Sequence, residues 1–163
     1  MITVVFSDLH GNLPALTKLR ALYPVCNNWL SLGDNVNYGP WSDECVQFLD
    51  RELDCRCLLG NHEEYFLSGV YPGQNNVARA FFEFCYERFS QQNSIERYLD
   101  SIDIGSYHCT HTVGDMYIFH DTDVIIGRNY LIGHSHQQYA VSRGAYSLFN
   151  PGSLGQDRKY INR

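Results

Sequence analysis

Apolar and polar positions along the 163-residue chain fall into two rhythms. Short runs rich in β-branched and aromatic residues, at 2–6, 29–32, 55–59, 116–119, 130–132 and 146–149, each close on Gly, Asn, Asp or His and predict strands. Between the early runs the period lengthens to that of a helix. Asn12 reads as the cap of a first helix, with Pro14 in its first turn and Leu13, Leu16, Leu19 and Leu22 on one face. Ser42 opens a second helix reaching to about Arg51. Asn76 caps a third, in which Val77, Ala80, Phe81, Phe84 and Cys85 follow the i, i+3, i+4 rule and are expected to face the core, while Arg79, Glu83, Glu87 and Arg88 point elsewhere. From about Gly105 the pattern turns β-rich, with a hairpin expected around Ser142-Arg143-Gly144.

The resulting order is βαβαβ, then helices, then an antiparallel-looking β half. It predicts an α/β (α+β) chain with two sheets packed face to face and helices outside. Without linker, repeat or low-complexity segment, residues 1–163 are expected to form one domain.

Composition narrows the class. An apolar content of 44% and a charged content of 18% suit a globular protein rather than a disordered one. No window approaches the roughly 18 consecutive apolar residues of a membrane helix, and the N-terminal run is short, β-branched and without a basic flank, so no export signal is expected. Six cysteines without a CxxC pair are expected as reduced, mostly buried thiols in a cytoplasmic protein. A net charge of −6 argues against an extended nucleic-acid surface, although bound cations could make one pocket locally positive.

Candidate chemistry sits where the runs end: Asp8 and His10, Asp34, Asn61 and His62, His120, then His134 and His136. Burying such groups without partners costs several kcal/mol, so each needs hydrogen bonds, solvent or a metal ion. In open α/β sheets, ligands collect at the carboxyl ends of strands, which would bring these groups to one edge. Glycine precedes several of them, as tight turns beside an ion require.

The set Asp8-x-His10, Gly33-Asp34, Gly60-Asn61-His62-Glu63, His120 and Gly133-His134-x-His136 resembles the calcineurin-like metallophosphoesterase superfamily over nearly the whole chain. The segments Asn37-Tyr38-Gly39-Pro40 and Asn150-Pro151-Gly152-Ser153-Leu154-Gly155-Gln156 are similar to its small bacterial and phage phosphodiesterase-type branch. The resemblance implies a four-layer αββα sandwich of two mixed sheets. It also implies two divalent ions, one held by Asp8, His10 and His136 and one by Asn61, His120 and His134, with Asp34 bridging. Mixed carboxylate, imidazole and amide donors suit Mn²⁺ first, with Ni²⁺, Fe or Zn²⁺ as alternatives. A water between the ions would be acidified enough to attack phosphorus as hydroxide, and His62 would face the phosphate as the catalytic side chain.

Competing readings attach to individual residues. His108 and His111 are read as ordinary hydrogen-bonded histidines; His111 is the one rival to His120, which is preferred because it ends an apolar run. Asp121 stands where the family usually has glycine, and the short interval from His120 to Gly133 predicts an open pocket. Glu63 and Glu64 are read as helix-start acids that suit the dipole. Tyr38, Asn150 and Arg158 are candidates for shaping the substrate pocket.

A small phosphodiester or nucleotide-like phosphoester leads as substrate. The arginines with which the phosphoprotein phosphatase branch grips monoesters are absent, since those places read Asn37-Tyr38-Gly39 and Leu58-Leu59-Gly60. A phosphoprotein or phosphomonoester phosphatase is the alternative. A non-catalytic scaffold of the same fold would have lost several of these ligands, and a dimer through exposed apolar edges stays open.

Overall fold

The computed structural model describes residues 2–157. β1 (Thr3–Phe6), β2 (Asn28–Ser31) and β3 (Arg56–Cys57) form a parallel sheet in that order, and α1 (Leu13–Leu22) and α2 (Ser42–Arg51) make the crossovers that parallel pairing demands. Asn12 starts α1 as the pattern predicts, its side-chain oxygen accepting the Ala15 N–H at 3.1 Å. Successive strand side chains point opposite ways. Val4, Phe6 and Trp29 enter the core with Leu16, Val46 and Leu49 of the helices, whereas Val5 and Leu30 face the second sheet.

After α3 (Asn61–Ser68), α4 (Asn76–Tyr86) and α5 (Gln92–Ile95) comes that second sheet, of β4 (Ser101–Ile104), β5 (Tyr107–Thr110), β6 (Asn129–Leu131), β7 (Gln138–Arg143) and β8 (Tyr146–Pro151). Its order is β4-β5-β6-β8-β7. β4 with β5 and β7 with β8 pair antiparallel, the latter as the expected hairpin, while β6 lies parallel to both β5 and β8. The larger sheet is therefore mixed and the smaller one wholly parallel, which corrects the expectation of two mixed sheets.

The sheets meet through Leu30, Leu32 and Leu58 against Cys109, Ile102, Ile104 and Leu131. Behind the second sheet, Val113, Ile118, Val124 and Ile126 pack on Ile132, Leu148 and Tyr139. The fourth layer is thus the irregular segment 113–126 rather than a helix.

Three expectations fail for instructive reasons. The run Met116–Phe119 is not a strand but part of that segment, where its apolar character serves to bury Ile118. The strand it displaced is β5, whose mixed composition conceals pairing on both edges, with β4 and with β6. In α4 the true cap is Asn75, which accepts the Val77 and Ala78 N–H groups at 2.9 and 3.2 Å. Phe82 and Cys85 face the core there, and Val77, Phe81 and Phe84 are exposed by 67%, 45% and 47%. An aromatic knot fixes that rotation: Phe82 stacks on Tyr86 at 5.2 Å and meets Phe66 edge-on at 5.5 Å.

Candidate metal centre

Asp8 and His10 leave the end of β1, Asp34 the end of β2, and Asn61 and His62 open α3 just after β3; His111 leaves β5, and His134 and His136 leave β6. Both sheets thus deliver groups to one edge, at the carboxyl ends of parallel-paired strands. Backbone hydrogen bonds knit the loops together: Asp8 N–H to the Gly33 carbonyl at 3.0 Å, His10 to Asp34 at 2.9 Å, and Gly133 to His111 at 2.9 Å.

Asp8, His10, Asp34, His134 and His136 all have φ between 49° and 66°. A non-glycine residue held in a sparsely populated backbone region costs of order 1–3 kcal/mol, and such outliers cluster at functional sites. Gly133 lets the last loop close, because a Cβ there would overlap the Ser7 hydroxyl.

In the first group, His10 Nδ1 donates to the Val36 carbonyl at 3.3 Å and His136 Nδ1 to the Gln156 carbonyl at 2.6 Å. Each ring therefore turns an Nε2 lone pair inward, and the two Nε2 atoms face each other at 3.1 Å. Asp8 Oδ1 lies 3.4 Å from His136 Nε2, buried and, among the described residues, making no hydrogen bond. Two imidazole nitrogens and a carboxylate oxygen turned on one another are a donor set that suits a transition-metal cation.

The second group repeats the logic. His111 Nδ1 donates to the Leu32 carbonyl at 2.9 Å, and its Nε2 lies 3.3 Å from both Asp34 Oδ2 and Asn61 Oδ1. His134 completes it: the ligand atoms of Asp34, His111 and His134 lie within 4.8 Å of one another, as do those of Asp8, His10 and His136. Tyr117 stacks on the His134 ring at 4.0 Å and 24°. Asp34 reaches both groups, with Oδ2 4.0 Å from His10 Nε2, while its Oδ1 accepts the His62 N–H at 2.9 Å.

Protonation reflects the crowding. Burial, with the neighbouring Asp34 charge, lifts Asp8 to about 7. Burial drives His10 well below the usual imidazole value. Asp34 is held well below the carboxylate range, because against the cost of burial His111 and His62 stabilise its charge. His111 is the counterpart: burial opposes its proton, but Asp34 overrides this and raises it to about 10. This buried cluster of carboxylates and imidazoles is arranged as cation ligands are.

His120 is not part of it. Its side chain is 63% exposed, 4.0 Å from Asp121, and its carbonyl accepts from Arg143 at 2.6 Å. His111 stands where His120 was expected, because β5, not the run at 116–119, is the strand that feeds this edge. Asn150 is buried and committed to the loop it supports, donating to the Gly133 carbonyl at 2.6 Å and to Ser135 Oγ at 3.1 Å. It shapes the site from behind rather than facing it. Arg158 lies outside the described residues.

Tyr38 does reach the site, its ring centroid 4.9 Å from those of His10 and His62. Asn37 fixes His62: its Oδ1 accepts the Tyr38 N–H at 2.7 Å, which turns its amide NH₂ toward His62 Nδ1 at 2.8 Å. Glu63 also does more than suit a dipole. Fully buried and raised to about 7 by burial and by Asp34, it accepts the N–H groups of Asp34, Asn35 and Gly60 at 2.8, 2.6 and 2.9 Å. The capping spacing from Gly60 to Glu63 was the available signal for that role.

The chain matches the calcineurin-like phosphoesterase family model over residues 1–159. It is 28% identical over 198 residues to the uncharacterized protein MJ0912 of Methanocaldococcus jannaschii, a similarity covering 100% of this chain and 79% of that one. Its fold is similar to that of a metallophosphoesterase from Sphaerobacter thermophilus, with a TM-score of 0.73 at 21% identity over 96% of this chain and 78% of the other. The phosphoesterase Yfce of E. coli is also similar, at TM-score 0.58 and 19% identity over 98% and 83%.

Proposed function

Because the chain belongs to the calcineurin-like phosphoesterase family, we propose that it hydrolyses a small phosphodiester with the aid of two divalent metal ions. The observation that carries this reading is the position of Asp34, one carboxylate reaching two ligand groups at once. Asp8, His10 and His136 would hold one ion, Asn61, His111 and His134 the other, with Asp34 between; the donor set favours Mn²⁺. When bound, the ions supply Lewis acidity that stabilises charge on the phosphoryl oxygens and makes water a competent nucleophile at neutral pH.

The chain's own residues do the rest. Asn37 donates to His62 Nδ1, so the neutral His62 ring carries its proton on Nε2. Hydrolysis turns a diester and water into a monoester and an alcohol; the attacking water supplies the proton that the departing oxygen takes up, and the His62 Nε2–H would donate to a phosphoryl oxygen as its charge grows. His10 and Tyr38, packed around its ring at 4.9 Å, hold that orientation.

A diester is favoured over a monoester by charge. No lysine or arginine lines the hollow beside Asn61 and His111 or the one beside Tyr38, among the described residues. A monoester's second negative charge would find no bidentate partner there. The free thiols suit a reducing compartment, which favours the cytoplasm. Among the described residues, no helix is long and apolar enough to cross a membrane.

The test is hydrolysis of bis-p-nitrophenyl phosphate against p-nitrophenyl phosphate by Mn²⁺-reconstituted protein, with Asp34→Asn as control. Faster cleavage of the diester, lost in the variant, is expected. Preference for the monoester would make the protein a phosphatase, and Asp34-independent turnover would sink the proposal.

A further inference from the structure

The helical stripe that was expected inside the core lies instead on the surface beside the metal centre. Val77, Ala80, Phe81 and Phe84 of α4, with Tyr38 and Pro40, line an apolar groove of about 600 Å³. That volume falls in the range of small-molecule sites, roughly 300–1,000 Å³. Resting on the diester reading above, we infer that this groove is the subsite for an aromatic ester arm of the substrate, a nucleobase or an aryl group.

Continuity carries the inference. Tyr38 belongs to both places: its ring lies 4.9 Å from those of His10 and His62 on one side and 5.9 Å from Phe81 on the other. The groove therefore begins one ring's width from the catalytic histidine. Its own backbone fixes Tyr38 in position, since Asn37 and Tyr38 have φ of 71° and 62° and the Asn37 side chain ties the Tyr38 N–H to His62.

The alternative direction for an ester arm is chemically different. On the His111 side the hollow of about 490 Å³ is edged by Glu64, Asp100, Asp115, Tyr65 and Tyr117. Its carboxylates hold water and disfavour an apolar group there. A diester whose phosphate sits at Asp34 thus has one arm in a hydrated, acidic hollow and the other over Tyr38 and Phe81. A flat ring suits the second, meeting Phe81 and Phe84 edge-on or offset.

The experiment compares two diesters that share a leaving group, p-nitrophenyl phenyl phosphate and ethyl p-nitrophenyl phosphate, on the full-length Mn²⁺-loaded protein. The readout is the ratio of their kcat/KM values in wild type, Phe81→Ala, Phe84→Ala and Phe81→Trp, with circular dichroism confirming the fold. We expect Phe81→Ala to lower the phenyl-to-ethyl ratio by about tenfold, chiefly through KM, and Phe81→Trp to restore it. Diphenyl phosphate should lose potency as an inhibitor in parallel. An unchanged ratio in both alanine variants overturns the subsite while leaving the hydrolase reading intact. So does a ratio that stays constant while Phe81→Ala converts a dimer to a monomer, which would make the groove a self-association surface. Absence of Asp34-dependent turnover of either diester by the wild type overturns the hydrolase reading, and the subsite with it.

Discussion

His111 Nε2 lies 3.3 Å from Asp34 Oδ2, and its Nδ1 is anchored 2.9 Å from the carbonyl of Leu32, two residues before that same aspartate. One imidazole from the second sheet is therefore clamped twice to the loop that ends β2. The pair is the joint between the sheets at the metal edge.

On the proposed two-metal reading, His111→Ala should remove one of the two ions, read as metal per protein by elemental analysis, and abolish the proposed hydrolysis. His120→Ala, at an exposed position, should change stability by less than about 0.5 kcal/mol and leave metal content at the wild-type value. The reverse pattern would restore His120 as the ligand.

Glu63→Gln keeps the shape of the side chain but replaces one acceptor oxygen with a donor facing backbone N–H groups. At least one of the N–H groups of Asp34, Asn35 and Gly60 loses its partner, at about 1–3 kcal/mol. Because those groups set the Asp34 loop, Mn²⁺ affinity should fall about 10- to 100-fold. Calorimetric titration together with thermal melts checks both, and a variant with wild-type affinity would reduce Glu63 to a helix cap.

Chelation should lower the melting temperature. A cation present at about 100 times its Kd stabilises by about 2.7 kcal/mol, which for a domain of this size corresponds to roughly 5–11 °C. Differential scanning calorimetry with and without EDTA measures it. Identical melting curves would show that no cation binds the folded state appreciably, against the metal reading.

Thiol reactivity should be low in the native state. Burial pushes the Cys45 and Cys85 thiols up and Cys109 to about 11, and a contact with Cys55 together with burial raises Cys57 as well. A thiol whose pKa is raised carries little thiolate until the pH approaches that higher value, so near pH 8 these four should react with Ellman's reagent only after denaturation. Cys55, half-buried, should react first. Fast labelling of Cys45 or Cys109 in folded protein would contradict the packing.

Much of the site was legible because its groups end strands that announce themselves. Asp8, His10, Asp34, Asn61, His62, His134 and His136 follow apolar runs or glycine turns, and all lie at the edge where those features placed them. His111 was not legible in this way, because β5 reads Tyr107-His108-Cys109-Thr110 and only Cys109 of the four enters the core. Pairing on both edges, rather than an apolar pattern, makes it a strand. The α4 stripe misled for the opposite reason: helical periodicity reports an apolar face without saying what it faces, and Phe82 won the core by stacking with Tyr86. Glu63 hid behind a reading that served its neighbour Glu64 equally well.

The left-handed backbone at Asp8, His10, Asp34, His134 and His136 also sets a direction for inheritance. Glycine adopts that conformation without strain, so at each of these positions the substitution that eases the backbone is the one that deletes a ligand. Were the proposed hydrolysis no longer under selection, glycine at these places would ease the backbone while removing the side chains gathered there, so the sandwich would outlast the chemistry.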